Sequence, residues 1–134
     1  MKALGDAVIK HLIYAMAGGA LGSGARHLVN VGMGRWLGAG FPWWTFLVNV
    51  AGCFLMGALI EALALKFNGS ADLRTFIATG ILGGFTTFSA FSLDFAVLMQ
   101  RNEHLQAAFY LAGSVALAIL ALYAGMHAVR SLLP

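Results

Sequence analysis

The chain has 134 residues, of which 60% are hydrophobic and 10% are charged, and its formal net charge is +3. Soluble domains are about 45–50% apolar and about 25% charged, so this composition excludes an ordinary soluble domain and indicates an integral membrane protein. The basic residues are scattered along the sequence rather than clustered, which gives no indication of a nucleic-acid partner.

Four apolar segments occupy nearly the whole sequence, and each is long enough to cross a bilayer, which takes about 20 residues. They predict an all-α membrane protein with one domain, 1–134, of four transmembrane helices. The predicted spans are 8–33, 41–65, 75–99 and 105–128.

The first segment contains Gly18, Gly19 and Gly22 and ends near Arg26. The four-residue spacing of Gly18 and Gly22 lets helix backbones approach closely in a membrane. Arg26 is expected to extend its side chain towards the interface.

The second segment begins at Trp43 and Trp44, a pair typical of an aromatic anchor at the membrane interface. Thr45 and Asn49 follow four residues apart and therefore share one helix face. Asn49 is interpreted either as a hydrogen-bonding link between helices or as an amide that donates N–H to a passing anion, and the residues alone favour the link. Cys53 is interpreted as a small buried apolar residue.

The third segment is predicted to be a helix broken in mid-membrane. Its run at 80–92, GILGGFTTFSAFS, combines three glycines with a row of hydroxyl side chains. Non-helical backbone at membrane depth persists only where protein or a water-lined path covers it. The break therefore indicates an ion or substrate site.

Phe88 and Phe91 lie three residues apart in this segment and share a helix face. The pair is interpreted either as lipid-facing or core packing, or as ring edges, which carry partial positive charge, turned towards an anion. Asp94 is the one ionisable residue between Arg74 and Arg101. An intramembrane carboxylate is a candidate functional group, and the alternative is that it reaches interfacial water.

In the fourth segment, Tyr110 and Ser114 place two hydroxyls on one face of an otherwise aliphatic helix. Hydrogen bonding to a neighbouring helix is the simplest interpretation of this pair.

The orientation of the four spans is weakly determined, because five basic residues fall on the side of both termini and three on the other side. The two groups are Lys2, Lys10, Lys66, Arg74 and Arg130, and Arg26, Arg35 and Arg101. Such a bias leaves two alternatives open, a single orientation or insertion in both orientations with antiparallel pairing. Four small helices also enclose a pore poorly, so an oligomer is expected.

Three motifs together resemble the CrcB/Fluc fluoride channel family. The most specific is the run at 83–92, GGFTTFSAFS; the others are the spacing from Gly18-Gly19 to Arg26 and the run at 48–52, VNVAG. The resemblance covers essentially the whole chain in order and length. It implies an antiparallel homodimer, inserted in both orientations, with two separate fluoride pores.

The resemblance also implies site residues, and six of them match pore positions of the family: Thr45, Asn49, Phe88, Phe91, Tyr110 and Ser114. A structural Na⁺ at the dimer centre is implied, bound by the backbone carbonyls of Gly83 and Thr86; backbone oxygen suits such a hard cation. Asp94 matches an often acidic position near the vestibule, and Arg26 a motif arginine of structural or electrostatic role. Ala90 stands where relatives often have threonine and receives no hydrogen-bonding role.

The function that the resemblance implies is passive fluoride efflux across a bacterial inner membrane, which lowers cytoplasmic fluoride. An enzyme is not expected, since the chain has five carboxylates in total and no Ser/His/Asp set on a recognisable elbow. Two alternatives remain: a small proton-coupled multidrug antiporter, which would need an intramembrane carboxylate, and a membrane subunit that transports nothing.

Overall fold

The structure is a computed structural model and describes residues 2–38 and 40–133. Four long helical rods account for most of these residues, and no β-strand occurs among them. In chain order the rods are α1 (Lys2–Leu37), α2 (Trp43–Leu65), a third rod made of α3 (Ala71–Leu73), the π-helix π1 (Arg74–Leu82), α4 (Gly83–Phe85) and α5 (Phe88–Gln100), and finally α6 (His104–Leu132). The prediction of an all-α protein with four helices is confirmed.

Three of the rods are long and apolar enough to cross a membrane, and they match the second, third and fourth predicted spans: Trp43–Leu65, Ala71–Gln100 and His104–Leu132. The first predicted span, 8–33, lies inside α1, whose 36 residues extend for about 54 Å. Glycines, histidines and charged side chains interrupt the aliphatic residues of α1, so its membrane crossing stays a prediction.

Two tight turns connect the last three rods through residues with positive φ. Asn68 (φ 47°) and Gly69 (φ 64°) lie between α2 and α3, and Asn102 (φ 59°) lies between α5 and α6. Asparagine and glycine adopt this left-handed conformation more readily than other residues. Because each connection reverses the chain, α2 and α6 run parallel to each other, as do α1 and the third rod.

Glycines bring α1 directly against π1. Gly18 lies against the backbone of Phe76 and Gly80, and Gly22 lies against the carbonyl oxygen of Ile81. A Cβ atom at Gly18 or Gly22 would overlap a carbonyl oxygen of π1, so the two backbones meet only because no side chain separates them. The close approach predicted from the Gly18–Gly22 spacing is confirmed.

The packing of α2 on α6 also depends on small residues. Gly57 of α2 and Gly125 of α6 each lie against a backbone carbonyl of the facing helix. At the end of this pair, Arg130 Nε donates a hydrogen bond to Glu61 Oε1 over 2.8 Å, and Glu61 is buried. The resulting two-helix unit forms one wall of the site described below.

The predicted break in the third rod falls at Thr86 and Thr87, which lie between α4 and α5. Thr86 (ψ 156°) and Thr87 (φ −154°, ψ 121°) have extended backbone. The Thr87 side chain then begins α5 as its N-cap and accepts a hydrogen bond from the Ala90 backbone N–H. The interruption is therefore a capped helix start rather than a frayed end.

Candidate functional site

An open groove with a volume of about 440 Å³ lies where α2 and α6 face the broken third rod. None of the described residues that line it has a charged side chain. The lining residues are Asn49, Cys53, Gly83, Thr86, Thr87, Phe88, Phe91, Ser114, Val115, Ala118 and Ile119.

Asn49, on α2, holds the broken segment of the third rod in place through two hydrogen bonds to Thr87. Its Oδ1 accepts a hydrogen bond from the Thr87 backbone N–H over 2.8 Å, and its Nδ2 donates to the Thr87 carbonyl over 3.0 Å. The extended backbone at Thr87 has left the helical ladder, and in lipid its polar groups must be satisfied by protein. The amide has two N–H groups, so one donor remains beyond the bond to Thr87. The structure therefore places Asn49 as a link between helices that also borders the groove.

Phe88 and Phe91 both line the groove, but their burial differs greatly. Phe91 is 6% exposed, whereas Phe88 is 77% exposed in the single chain. Their ring centroids are 5.4 Å apart with an interplanar angle of 38°, and Phe91 is also 5.1 Å from the ring of Tyr110. Phe91 is thus fixed within the chain, while the Phe88 ring projects away from it.

Ser114 contributes a buried hydroxyl group to the groove. Its side chain is buried, and its Oγ has no hydrogen-bond partner within residues 2–38 and 40–133. A buried hydroxyl without a partner costs free energy. An anion that accepts a hydrogen bond from the Ser114 hydroxyl would remove that cost.

Thr45, Tyr110 and Asp94 form a separate polar cluster and do not line the groove. Tyr110 is fully buried, and its hydroxyl donates to Asp94 Oδ2 over 3.1 Å. Thr45 is also buried and lies close to the Tyr110 hydroxyl. This cluster supports the ring of Tyr110, which in turn packs on Phe91. The structure therefore divides the six predicted pore residues, with four at the groove and two behind Phe91.

Asp94 borders a second, smaller cavity of about 170 Å³ at the Trp43 end of the molecule. Pro42, Trp44 and Arg101 contribute to its lining. This cavity contains both an acidic and a basic residue, in contrast with the uncharged groove. Its position is compatible with the predicted location of Asp94 near the membrane edge.

Gly83 and Thr86 lie on the groove side of the break. An unbroken helix would direct the N–H groups of Thr87 and Ala90 to their carbonyls. Here the Thr87 N–H donates to Asn49 and the Ala90 N–H to Thr87 Oγ1. The two carbonyls thus lose their ordinary helical donors, which makes them suitable ligands for a hard cation.

Arg26 lies one turn beyond Gly22 on α1 and does not line the groove. Its Nε is buried and has no hydrogen-bond partner in the described part of the chain. Four residues further on, Asn30 Oδ1 is in the same condition. Gly22, one turn earlier on α1, lies against the backbone of Ile81 and Phe85 in the third rod.

Five groove residues carried no predicted role: Cys53, Thr87, Val115, Ala118 and Ile119. Cys53 is partly exposed rather than fully buried, which corrects its interpretation as a buried apolar residue. The four-residue spacings from Asn49 to Cys53 and from Ser114 to Ala118 are the signal that identifies Cys53 and Ala118.

Comparison with known proteins adds independent information. The family described as "CrcB-like protein, Camphor Resistance (CrcB)" matches residues 13–126. A protein of Chelativorans sp. (strain BNC1) is 54% identical over 123 residues, which cover 92% of this chain and 98% of the relative. A protein of Sphingopyxis alaskensis is 49% identical over 121 residues, covering 90% and 96%.

A third relative, from Mesorhizobium japonicum, is 49% identical over 122 residues, covering 91% of this chain and 98% of its own length. All three relatives carry the name "Fluoride-specific ion channel FluC", which describes an ion channel rather than an enzyme. Together with the four-helix fold and the broken third rod, these matches establish that the chain belongs to the CrcB-like family, as its motifs predicted.

Proposed function

We propose that this protein is a channel through which fluoride crosses the membrane passively, and that it is not an enzyme. The observation that carries the proposal is the buried Ser114 hydroxyl, which has no hydrogen-bond partner among the described residues and lies at an uncharged groove that Asn49 and Phe91 also line. The names of the relatives support fluoride as the ion.

The chemistry of the groove suits a small anion that holds its water tightly. Such an ion needs replacement donors, and Ser114 O–H and the second N–H of Asn49 supply them. Aromatic ring edges, which carry partial positive charge, add weaker attraction at Phe88 and Phe91. No lysine or arginine of the described ranges lines the groove, so the ion is held weakly enough to leave, as conduction requires.

The direction of transport follows from acid–base chemistry and the membrane potential. Hydrogen fluoride enters a cell from acidic surroundings and dissociates in the neutral cytoplasm. A potential that is negative inside then drives the trapped anion outwards through a selective path. In the inner membrane of a bacterium, this efflux lowers cytoplasmic fluoride.

We further propose that two copies pair antiparallel and form two pores. Supporting this, Phe88 is 77% exposed in the single chain, and the groove that it borders is open on one side. A second copy would close that side and cover the ring. The weak charge bias of five basic residues against three is compatible with insertion in both orientations.

A structural Na⁺ at the centre of this dimer is the remaining part of the proposal. The carbonyls of Gly83 and Thr86 would hold it, because the break has removed their ordinary helical donors. Backbone oxygen is a normal ligand for hard cations. Asp94 is assigned to the vestibule, where it borders the smaller cavity, and Arg26 to an electrostatic or structural role near the break.

The proposal is tested with purified protein in liposomes loaded with potassium fluoride. Valinomycin carries potassium out of the vesicles, so that no membrane potential builds up to stop fluoride efflux. An ion-selective electrode measures the released fluoride. We expect rapid fluoride release, retention of chloride in parallel vesicles, and slower fluoride release by Phe91→Ile. Leu120→Ala is the matched control, because Leu120 is 62% exposed and lies outside the groove.

Three outcomes separate the alternatives. Fluoride release without a pH gradient supports a channel. Drug uptake that requires a proton gradient would instead identify an antiporter. Vesicles that retain fluoride and show no proton-coupled uptake would leave a membrane subunit without transport activity.

A further inference from the structure

The groove continues past its polar end into a second layer of residues. Cys53 follows Asn49 by four positions on α2, and Ala118 follows Ser114 by four positions on α6; all four line the groove. Residues four apart share a helix face. Because α2 and α6 run parallel, Cys53 and Ala118 belong to the same next layer of the groove.

Most polar groups of the broken rod are already engaged within the chain. Thr86 Oγ1 donates to the Leu82 carbonyl over 2.9 Å, and Thr87 Oγ1 accepts from the Ala90 N–H. Ser114 is the contrast: the residue is 6% exposed, and its Oγ is buried and has no hydrogen-bond partner in the described ranges. The groove therefore contains a buried hydroxyl donor that is available to a ligand.

Beyond Ser114 the groove offers few groups that can interact with an anion. Val115, Ala118 and Ile119 are aliphatic, whereas Cys53 has a thiol, which is a weak S–H donor and polarizable. Cys53 is also partly exposed. An ion that leaves Ser114 along the groove in this direction passes the Cys53 sulfur.

We propose that the Cys53 thiol lines the route of the permeating anion, one layer beyond Ser114, and that a group attached to Sγ closes this route. The inference rests on the proposed channel function. It identifies Cys53 as a site of covalent modification and as a residue on the ion path.

Methanethiosulfonate reagents provide the chemical test. The Cys53 thiolate, which is the nucleophilic form, attacks the sulfenyl sulfur of the reagent and forms a new S–S bond. The reagent's own S–S bond breaks, and methanesulfinate leaves with the electron pair, while water takes up the thiol proton. Labelling therefore requires that water reach Sγ, as it would on a hydrated ion route.

The chain contains one cysteine, so the unmodified sequence is already a single-cysteine reporter. Protein in fluoride-loaded liposomes is treated with the methyl or the benzyl reagent, mass spectrometry counts the attached groups, and valinomycin starts efflux. We expect complete labelling, and a fall in efflux of about tenfold or more with the benzyl group because the path is occluded. The methyl group should reduce efflux less, and fluoride present during labelling should slow the reaction.

Two variants without the native thiol, Cys53→Ala and Cys53→Ser, should have efflux that neither reagent changes; the second guards against a folding defect in the first. The matched control combines Cys53→Ala with Leu120→Cys, since Leu120 is exposed and lies outside the groove. Its labelling should leave efflux unchanged.

Two results would overturn the inference while leaving the channel function intact: full labelling of Cys53 with unaltered efflux, or a thiol that stays unlabelled in vesicles that release fluoride. Should unlabelled protein release no fluoride at all, the channel function itself has failed, and the role of Cys53 is rejected with it.

Discussion

Replacement of Asn49 by alanine tests how the broken helix is held in place. Asn49 makes two hydrogen bonds to the Thr87 backbone, 2.8 Å at the N–H and 3.0 Å at the carbonyl. Asn49→Ala removes both partners at once. At membrane depth little water is available to replace them, so the free energy of unfolding should fall and the break should open more often.

The expected size follows from two estimates. An unsatisfied buried polar group costs about 1–3 kcal/mol, so two groups set an upper range of about 2–6 kcal/mol. Measured polar interactions between membrane helices average only about 0.6 kcal/mol, with a maximum near 1.7. Two such interactions give about 1–3 kcal/mol. We adopt the lower range because Thr87 borders the groove, where water can partly satisfy it.

Hydrogen exchange at the Thr87 amide, followed by NMR in detergent or nanodiscs, measures this directly. A loss of about 1.4 kcal/mol corresponds to a factor of ten in an equilibrium constant, so a loss of about 1–3 kcal/mol should accelerate exchange about 5- to 150-fold. Fluoride efflux should also slow, because the second amide N–H of Asn49 is lost.

Ser92→Ala is the matched control for Asn49→Ala. Its hydroxyl donates to the Phe88 carbonyl within α5 over 2.9 Å and is exposed, so its removal should leave Thr87 exchange unchanged. Equal Thr87 exchange rates in Asn49→Ala and Ser92→Ala would refute the role of Asn49 in holding the break.

Two further predictions concern helix packing. Gly22→Ala should lower the melting temperature, since its Cβ would overlap the carbonyl oxygen of Ile81 in a packed backbone that relaxes little. Gly24→Ala is the control and should leave the melting temperature unchanged, because a Cβ at Gly24 meets open space. Equal melting temperatures of the two variants would contradict the close packing of α1 on π1. Arg130→Gln should also lower the melting temperature by leaving the buried Glu61 carboxylate without its partner. Replacing both Glu61 and Arg130 by leucine should recover most of that loss, and no recovery would argue against this cause.

Local chemistry in the sequence was sufficient for several features of this protein. Apolar length predicted the four helices, and the glycines and hydroxyls at 80–92 predicted the break that the structure has at Thr86 and Thr87. The Gly18–Gly22 spacing predicted the close approach of α1, because a missing side chain acts wherever a second backbone is near. The motif at 83–92 indicated the family.

Pairings between distant parts of the chain were not predictable in this way. Asn49 has its partner 38 residues away at Thr87, and Tyr110 has its partner at Asp94, behind Phe91 rather than in the groove. Which of several polar groups meet depends on the rotation and depth of each packed helix, and helical periodicity specifies only the face of a single helix.

The sequence by itself therefore determined the membrane class, the number of helices, the position of the break and the family. Only the tertiary structure decided that Asn49 supports the break, that the buried Ser114 hydroxyl has no partner in the described part of the chain, and that Cys53 borders the groove. The physical reason is that hydropathy and backbone propensity act over a few residues, whereas a groove and its donors exist only once separate helices have packed.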